Sequence, residues 1–413
     1  MRSGTVIVGT GQAGFQTAAS LRAEGYAEPI TLIGEESQIP YQRPPLSKGF
    51  ALGQQDFESI ELRPEKFYQD HQINLIAGKR VTQIDRSARY VKLESGEKFP
   101  YDKLVLAVGS RNRRLNVKGA ELGGIVYLRS LEEAVVIRDR LKSANAVVVI
   151  GGGFIGLELA AVARTMGKAV TVVEALPRLM SRAVAPMISE FFRELHTNKG
   201  ITVICGATVT AIEGTDGNAR SVVLSDGSRW PADLIIAGVG VLPNVELAQT
   251  TGLTAANGIA IDESLQTDDR NIFAVGDCAE FPCAFASTRI RLESVQNAAD
   301  QAQHVAATIA DKRTAYRALP WFWTDQFHVK LQMAGISHGH DRVVTRGSPA
   351  SGKLSIFYFK GERLIAIDSI NRPLDHMMGR KLISANVPLT PEQAADESFD
   401  LRHLAHTVGA THH

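Results

Sequence analysis

Residues 5–14 read TVIVGTGQAG and decide the fold of the first part of this chain. A short β-branched run passes directly into the pattern GxGxxG, and a helix-like stretch follows at residues 15–24. Gly9 makes the tight turn, Gly11 lets the backbone approach a pyrophosphate, and Gly14 lets the helix pack on the strand. The free N–H groups and the positive dipole end at the helix N-terminus suit such an anion. The stretch therefore predicts a dinucleotide-binding strand, turn and helix.

The same layout occurs twice, and an acidic residue follows each copy at a suitable distance. After the first copy, an apolar run at residues 30–33 leads to Glu35, 21 residues past the last glycine of the motif. The second copy, AVVVIGGGFIG at residues 146–156, is followed by an apolar run at 169–173 that ends at Glu174. A carboxylate at this place can accept hydrogen bonds from a ribose. The repetition predicts two nucleotide-binding domains of the same type.

A further pair of repeats shows how the two domains are arranged along the chain. The run KLVLAVG at residues 103–109 is echoed by LIIAGVG at 234–240, and both read as buried parallel strands that end in glycine. A later run, NIFAVGD at residues 271–277, has no glycine motif of its own. It is predicted to return to the first sheet with Asp277 at its carboxyl end, where open α/β sheets bind ligands. The second domain is therefore inserted in the first.

The C-terminal part has a different pattern. Residues 354–359 and 363–367 alternate apolar and polar side chains around the turn at 360–362, which predicts an antiparallel sheet. From residue 384 onward the sequence reads as helical and polar. The fold class is thus α/β, with two Rossmann-like domains and a C-terminal α+β domain. The predicted boundaries are 1–112 for the first domain, 113–241 for the inserted domain, 242–318 for the return to the first, and 319–413 for the last.

Composition narrows the classes of function. Of the 413 residues 44% are hydrophobic and 22% charged, and the net charge of +1 favours neither nucleic acid nor a membrane surface as a partner. No apolar run is long enough to predict a membrane span, and the start of the chain does not resemble a signal peptide. Three cysteines without a CxxC pattern predict a reducing compartment, hence the cytoplasm, and no metal site.

Together, GTGQAG with Glu35, GGGFIG with Glu174, and the run 267–277 resemble the glutathione-reductase-like flavoproteins with two dinucleotide-binding domains. Three narrower motifs, RPPLSKG from residue 43, YLRSLEEA around Arg129 and PWFWTDQ from residue 320, resemble NADH-dependent ferredoxin reductases of the putidaredoxin reductase type. The resemblance implies FAD in the first domain and NADH in the inserted one. It also implies a C-terminal domain that walls the flavin site or forms a dimer interface, in a monomer or weak homodimer.

The resemblance also implies the residues that contact the two cofactors. For FAD these are Gly9, Gly11, Gln12, Ala13, Gly14, Glu35, Arg43, Pro45, Lys48, Val81, Ala107, Gly109, Arg129, Asp277, Val295 and Trp323. For NADH they are Gly151, Gly153, Phe154, Ile155, Gly156, Glu158, Glu174, Arg182 and Gly240. Two of these residues have plainer alternatives, because Trp323 could be a core aromatic residue and Arg182 a surface residue.

The segment RPPLSKG bears on the chemistry. Disulphide reductases of this fold carry cysteines in this region, whereas here it supplies prolines and Lys48, and no cysteine precedes Cys205. Thiol relay chemistry has no residue to use, so electrons must leave the flavin directly. Cys278 and Cys283 are interpreted as packing residues. The resemblance places Lys48 at the flavin with Glu158 as its partner, and both are the candidate catalytic residues. The alternatives are a solvated loop lysine and a glutamate favoured by the helix dipole.

Glu174 favours NADH over NADPH, because a carboxylate holds a ribose hydroxyl and repels a 2′-phosphate. The function implied is transfer of electrons from NADH through FAD to a separate [2Fe-2S] ferredoxin that serves a cytochrome P450 or a dioxygenase. Arginines 111, 113, 114 and 313 are candidates for docking an acidic ferredoxin. A rubredoxin reductase, a monodehydroascorbate reductase and a flavin-binding signalling protein without turnover remain alternatives.

Overall fold

The computed structural model describes residues 3–286 and 288–407. The helices of this part of the chain are α1 Gln12–Ala23, α2 Glu65–Asp70, α3 Leu131–Ser143, α4 Phe154–Thr165, α5 Pro186–Asn198, α6 Glu246–Gln249, α7 Val295–Ile309, α8 Pro373–Ser384, α9 Pro391–Ala395 and α10 Leu401–Thr407. A short 3-10 helix covers Pro44–Ser47. None of the described helices is both long and apolar enough to span a bilayer.

The strands form parallel sheets in the nucleotide-binding domains and antiparallel sheets elsewhere. They are β1 Thr5–Val8, β2 Ile30–Ile33, β3 Ile73–Ile76, β4 Val81–Asp85, β5 Tyr90–Leu93, β6 Lys98–Pro100, β7 Lys103–Leu106, β8 Ser110–Asn112, β9 Ile125–Val126, β10 Ala146–Ile150, β11 Ala169–Glu174, β12 Thr202–Cys205, β13 Val209–Thr215, β14 Asn218–Leu224, β15 Arg229–Pro231, β16 Leu234–Ala237, β17 Val241–Pro243, β18 Ile259–Ala260, β19 Ile272–Ala274, β20 Ala279–Pro282, β21 Arg289–Ile290, β22 Trp321–Gln326, β23 Val329–Gly335, β24 Arg342–Ser348, β25 Lys353–Lys360 and β26 Arg363–Ile370.

The first nucleotide-binding domain is built on the parallel sheet β19-β7-β1-β2-β3. Its central strands are continuous apolar runs because both faces of the sheet are covered, and Leu21 of α1 and Val91 of β5 both lie in its core. Strand β19 pairs with β7 in the register Ile272 to Leu104, so the chain returns to the first sheet after the inserted domain. The predicted return of this segment is therefore confirmed.

The inserted domain repeats that architecture in the parallel sheet β12-β11-β10-β16-β9. In both domains the glycine motif directly follows the central strand of the sheet. The central strand β1 pairs with β2 and β7, and the central strand β10 pairs in the same way with β11 and β16. A three-stranded antiparallel unit precedes the second-repeat strand in each case, β4-β5-β6 in one and β13-β14-β15 in the other. Strands β8 and β17 pair antiparallel where the chain crosses between the domains.

The C-terminal domain is an antiparallel sheet in the order β22-β23-β26-β25-β24. Strands β25 and β26 confirm the predicted hairpin. The helical stretch predicted from residue 384 onward is represented by the short helices α9 and α10. The longer helix α8 before it was not predicted; it begins at Pro373, where a proline at the first helical position lacks a donor that would be unpaired anyway.

One continuous hydrophobic core joins the inserted domain to the C-terminal sheet. Side chains of β10 and α4, such as Val149 and Leu159, share this core with Leu331 and Ile356 of the C-terminal sheet. The segment around Pro44–Ser47 adds Leu46 to it. All three domains therefore meet beside the N-terminus of α4, and this junction positions the candidate site.

Candidate active site at the junction of three domains

The first glycine turn leaves the N-terminus of α1 open. Gly11 is the N-cap residue, has φ −73°, and makes no side-chain cap, while a Cβ placed on it would have no atom within 4 Å. By contrast, a Cβ on Gly14 would lie 1.8 Å from the carbonyl oxygen of Gly9, which excludes any side chain there. The protein itself therefore needs Gly14 for packing, whereas the space before Gly11 fits a bound pyrophosphate.

The second glycine turn has the same construction at α4. Gly153 is the uncapped N-cap residue with φ −82°, and a Cβ on it would also meet no atom within 4 Å. A Cβ on Gly156 would lie 2.3 Å from the oxygen of Gly151. Ile155 in the first helical turn is 44% exposed, although it is a large apolar side chain. This surface fits a second dinucleotide that would cover the helix terminus.

Glu174 lies at the carboxyl end of β11 and reaches the second turn. Its Oε2 accepts a hydrogen bond from the backbone N–H of Gly152 at 2.7 Å, and its Oε1 accepts one from Leu176 at 2.8 Å. Two backbone donors therefore hold the carboxylate beside the glycine turn, the place where a ribose hydroxyl would bind. Glu35, its counterpart in the first domain, is 69% exposed at the side chain, and its Oε2 lies 3.6 Å from Nε of Arg80.

A polar cluster lies at the carboxyl ends of β7 and β19. Asp277 Oδ2 accepts hydrogen bonds from Arg129 Nη2 at 2.9 Å and from Ser110 Oγ at 3.0 Å. Arg43 donates to the backbone oxygen of Arg129 and pairs with Glu36. The structure thus brings Arg43, Arg129 and Asp277 together, although they are far apart in sequence, at the sheet edge where ligands of this fold bind.

Lys48 and Glu158 form an ion pair at the centre of the junction. Glu158 is only 5% exposed, and its Oε2 lies 2.8 Å from Lys48 Nζ. Ser47 Oγ donates to the same oxygen at 2.5 Å, and Thr324 Oγ1 donates to Oε1 at 2.6 Å. The side chain of Lys48 keeps 24% of its surface exposed. The ammonium is therefore held by a buried carboxylate while part of it still faces the cleft.

An open cleft of about 250 Å³ lies beside this ion pair and gathers several of the predicted flavin contacts. It is lined by Gln12, Pro45, Lys48, Val295 and Trp323, together with Gln42, Pro44, Gln55 and Asp325. Residues from the first glycine turn, the proline segment, the start of α7 and the C-terminal strand β22 thus face one space. Its volume and its place beside an open helix N-terminus fit the ring system of a flavin dinucleotide.

The remaining predicted residues lie in several settings. Val81 and Ala107 are buried, whereas Arg182 is exposed. Gly109 and Gly240 have the positive φ values +63° and +96°. Ala13 lies in the first turn of α1 and Phe154 in the first turn of α4. The ring of Phe154 packs 4.8 Å from that of Phe322, between centroids. This contact ties the start of α4 to β22.

The cysteines take no part in the cleft. All three are free thiols, and Cys278 and Cys283 are buried. Burial raises the pKa of the Cys278 thiol to about 11, and its Sγ donates to the backbone oxygen of Val275 at 3.3 Å. A thiol of this kind is unreactive at neutral pH. The geometry supports the interpretation of these cysteines as packing residues.

Three of the four arginines considered for docking have side-chain partners within the chain. Arg111 pairs with Glu246 at 2.6 Å, and Arg313 pairs with Asp262 at 3.3 Å. The guanidinium of Arg114 stacks over the ring of Tyr127, 4.2 Å from its centroid. Arg111 and Arg313 are thus paired with carboxylates of the same chain, and the docking role of these arginines stays a prediction.

Sequence reasoning missed several residues that shape the site. Ser47 and Thr324 both donate to Glu158, and Tyr41 donates to Glu36 and accepts from the backbone N–H of Leu131. Ser47 and Thr324 lie within motifs that are recognisable in the sequence. Only their position beside a carboxylate from another domain reveals their task.

Comparison with known proteins agrees with this geometry. Residues 3–302 match the pyridine nucleotide-disulphide oxidoreductase family, and residues 321–405 match the reductase C-terminal domain. Rhodocoxin reductase of Rhodococcus erythropolis is 49% identical over 397 residues, which cover 96% of this chain and 93% of that protein.

Two solved structures share the fold over nearly the whole chain. The ferredoxin reductase for the CYP199A2 system from Rhodopseudomonas palustris superposes with a TM-score of 0.95 at 48% identity, covering 97% of this chain and 99% of the other. The reductase in the covalent putidaredoxin reductase–putidaredoxin complex also gives a TM-score of 0.95, at 41% identity, and covers 98% of this chain and 99% of the other.

Proposed function

Because the chain belongs to the pyridine nucleotide-disulphide oxidoreductase family and carries the reductase C-terminal domain, we propose that it is an NADH-dependent, FAD-containing reductase of a [2Fe-2S] ferredoxin. The observation that carries this proposal is the ion pair of Lys48 with buried Glu158 at a cleft where the described residues place no cysteine. Related proteins of high identity are named as reductases of rhodocoxin and putidaredoxin, and as a ferredoxin reductase.

The two glycine turns bind different dinucleotides. Gly11 and α1 offer unpaired N–H groups to the pyrophosphate of FAD, and Gly153 and α4 offer the same to NADH. Glu174 is already fixed by two backbone donors, so it can accept from a ribose hydroxyl without further ordering. When bound, FAD accepts two electrons from NADH and can release them singly.

Lys48 and Glu158 supply the electrostatics of the cleft. The carboxylate fixes the ammonium at 2.8 Å, and the backbone oxygen of Pro44 accepts from the same ammonium at 3.3 Å. A positive charge held in advance stabilises negative charge that develops on a reduced ring system, without reorganisation at that moment. Trp323 and Pro45 line the same cleft.

Electrons must leave this site without a thiol carrier. No described side chain in the cleft is a cysteine, and the described residues contain no group of His, Cys, Asp or Glu suited to hold a metal. The acceptor in this proposal is therefore a separate protein that takes one electron at a time, a [2Fe-2S] ferredoxin that in turn serves a cytochrome P450 or a dioxygenase. The free cysteines support placing the reductase in the cytoplasm.

Anaerobic stopped-flow mixing of the purified holoprotein with NADH and with NADPH tests the first half of the proposal. We expect NADH to bleach the flavin much faster than NADPH. The second half is tested by cytochrome c reduction with a putidaredoxin-type ferredoxin, with rubredoxin, and with no carrier. Ferredoxin-dependent turnover supports the proposal. Turnover with rubredoxin alone, or flavin reduction that passes to neither carrier, contradicts it.

A further inference from the structure

We infer that Thr324, Gln326 and His196 form a buried hydrogen-bonded chain that positions Glu158. Thr324 Oγ1 donates to Glu158 Oε1 at 2.6 Å, and Gln326 Nε2 donates to Thr324 Oγ1 at 3.4 Å. His196 Nε2 lies 2.8 Å from Gln326 Oε1. This inference rests on the proposed function, because it concerns the carboxylate that holds Lys48.

Every bond of the chain donates towards Glu158. An amide oxygen only accepts, so Nε2 of His196 carries the hydrogen, and the amide NH₂ of Gln326 is left to donate to Thr324. The hydroxyl of Thr324 in turn gives its single hydrogen to the carboxylate. The imidazole is neutral in this arrangement, and burial lowers the pKa of His196, which agrees with it. Nδ1 of His196 has no hydrogen-bond partner.

No solvent competes with these contacts. Thr324, Gln326 and His196 are each 0% exposed, and Glu158 is 5% exposed. A buried donor that loses its acceptor costs more than the bond itself contributes, so the members hold one another in a single arrangement. The ring of Phe327 packs against His196, with ring centroids 5.4 Å apart, at the end of the hydrogen-bonded chain that is farthest from Glu158.

The hydrogen-bonded chain holds the oxygen of Glu158 that Lys48 does not contact. Oε2 of Glu158 accepts from Lys48 and Ser47 of the first domain, whereas among residues 3–286 and 288–407 Oε1 accepts only from Thr324 of the C-terminal strand β22. Loss of the Thr324 hydroxyl frees the carboxylate to turn about its last torsion. The ammonium would then shift with it, and small shifts of a catalytic group have large effects on rate. His196, Gln326 and Thr324 are therefore positioning residues.

The test compares Thr324→Val, which keeps the shape and removes the hydroxyl, with Thr324→Ser, which restores it. Thr308→Val is the matched control, because Thr308 is a buried threonine whose Oγ1 donates to the backbone oxygen of His304 within the same helix, α7. Stopped-flow reduction at several NADH concentrations gives a limiting rate and a dissociation constant. We expect T324V to lower the limiting rate roughly tenfold with less than about a twofold change in the dissociation constant. T324S and T308V should stay near the wild-type values.

Two further readouts do not depend on NADH. Titration with a chemical reductant should give T324V a more negative flavin potential than T324S, because a displaced ammonium stabilises reduced flavin less. Nitrogen NMR of labelled histidine should show His196 with its hydrogen on Nε2 in the wild-type protein and an altered signal in Gln326→Leu. If NADH fails to reduce the wild-type flavin, the proposed function is wrong. The reductive titration and the histidine NMR still test the hydrogen-bonded chain in that case. Equal rates and potentials in T324V and T324S, or an equal loss in T308V, would overturn the inference.

Discussion

The substitution Gly153→Ala tests whether Gly153 is required for folding of the protein or for binding of the dinucleotide. Gly153 has φ −82° and ψ 179°, a backbone conformation that any residue adopts, and an added Cβ would meet no atom within 4 Å. Alanine therefore introduces no strain in the free protein, and it lowers the entropy of the unfolded chain, which stabilises by about 0.4–1 kcal/mol. We expect an unchanged or slightly raised melting temperature.

The same methyl group occupies the space where a pyrophosphate approaches the helix N-terminus. Crowding of one methyl group into a filled site costs about 1–3 kcal/mol of binding free energy, which raises the dissociation constant about 5- to 150-fold. Calorimetric titration of the holoprotein with ADP-ribose measures this, because ADP-ribose carries the pyrophosphate and cannot reduce the flavin. Flavin content should be unchanged, since α1 is not altered.

Gly11→Ala is the matched control, because Gly11 has the same open geometry at α1. It should weaken FAD retention and leave the affinity for ADP-ribose unchanged in the protein that keeps its flavin. Gly156→Ala should instead damage folding, because its Cβ would lie 2.3 Å from a backbone oxygen. Wild-type affinity for ADP-ribose in G153A, or a loss of melting temperature in that variant, would refute the reasoning.

Three other variants test the charges. Lys48→Met leaves the carboxylate of Glu158 without its ammonium partner and should slow NADH-driven flavin reduction at least about tenfold in stopped flow, whereas equal rates would make Lys48 an ordinary loop lysine. Glu174→Ala should lower the ratio of kcat/KM for NADH over NADPH about tenfold in steady-state assays, and an unchanged ratio would remove Glu174 from cofactor choice. Burial raises the pKa of Asp368 to about 7, so its contribution to stability is present at low pH and is lost as pH rises from about 4 to about 7. Relative to wild type, Asp368→Asn should gain roughly 3 kcal/mol of unfolding free energy between about pH 5 and pH 8. The comparison with wild type cancels the opposite slope of His376, whose pKa burial lowers to about 4, and parallel pH profiles in urea unfolding would contradict the assignment.

Much of the fold followed from local patterns. Strands β1, β2 and β10 have the bounds expected from their apolar runs, because a parallel strand covered on both faces must be apolar throughout. The two glycine motifs lie between strand and helix as predicted. The helix α8 was missed, since its buried face includes Asp375, His376 and Gly379, which an apolar pattern does not record.

The site was predictable only in part. The sequence pointed to Lys48 and Glu158 through their motifs, but it contained no sign of the hydroxyls that hold the carboxylate. Ser47 lies 111 residues from Glu158 and Thr324 lies 166 residues from it. Gln326 and His196 are separated by 130 residues. Contacts over such distances depend on how three domains pack, and no local periodicity records them.

The sequence by itself determined two open helix termini, because the position of each glycine between strand and helix follows from local backbone geometry. It also determined that no thiol stands in the segment from residue 43, because residue identity alone decides which chemistry is available. The family resemblance implied the pairing of Lys48 with Glu158, but only the tertiary structure decided that Ser47 donates to one oxygen of this carboxylate and that the C-terminal sheet donates to the other. The physical reason is that directional hydrogen bonds to a buried charge exist only once packing has excluded water and set the atoms within about 3 Å of each other.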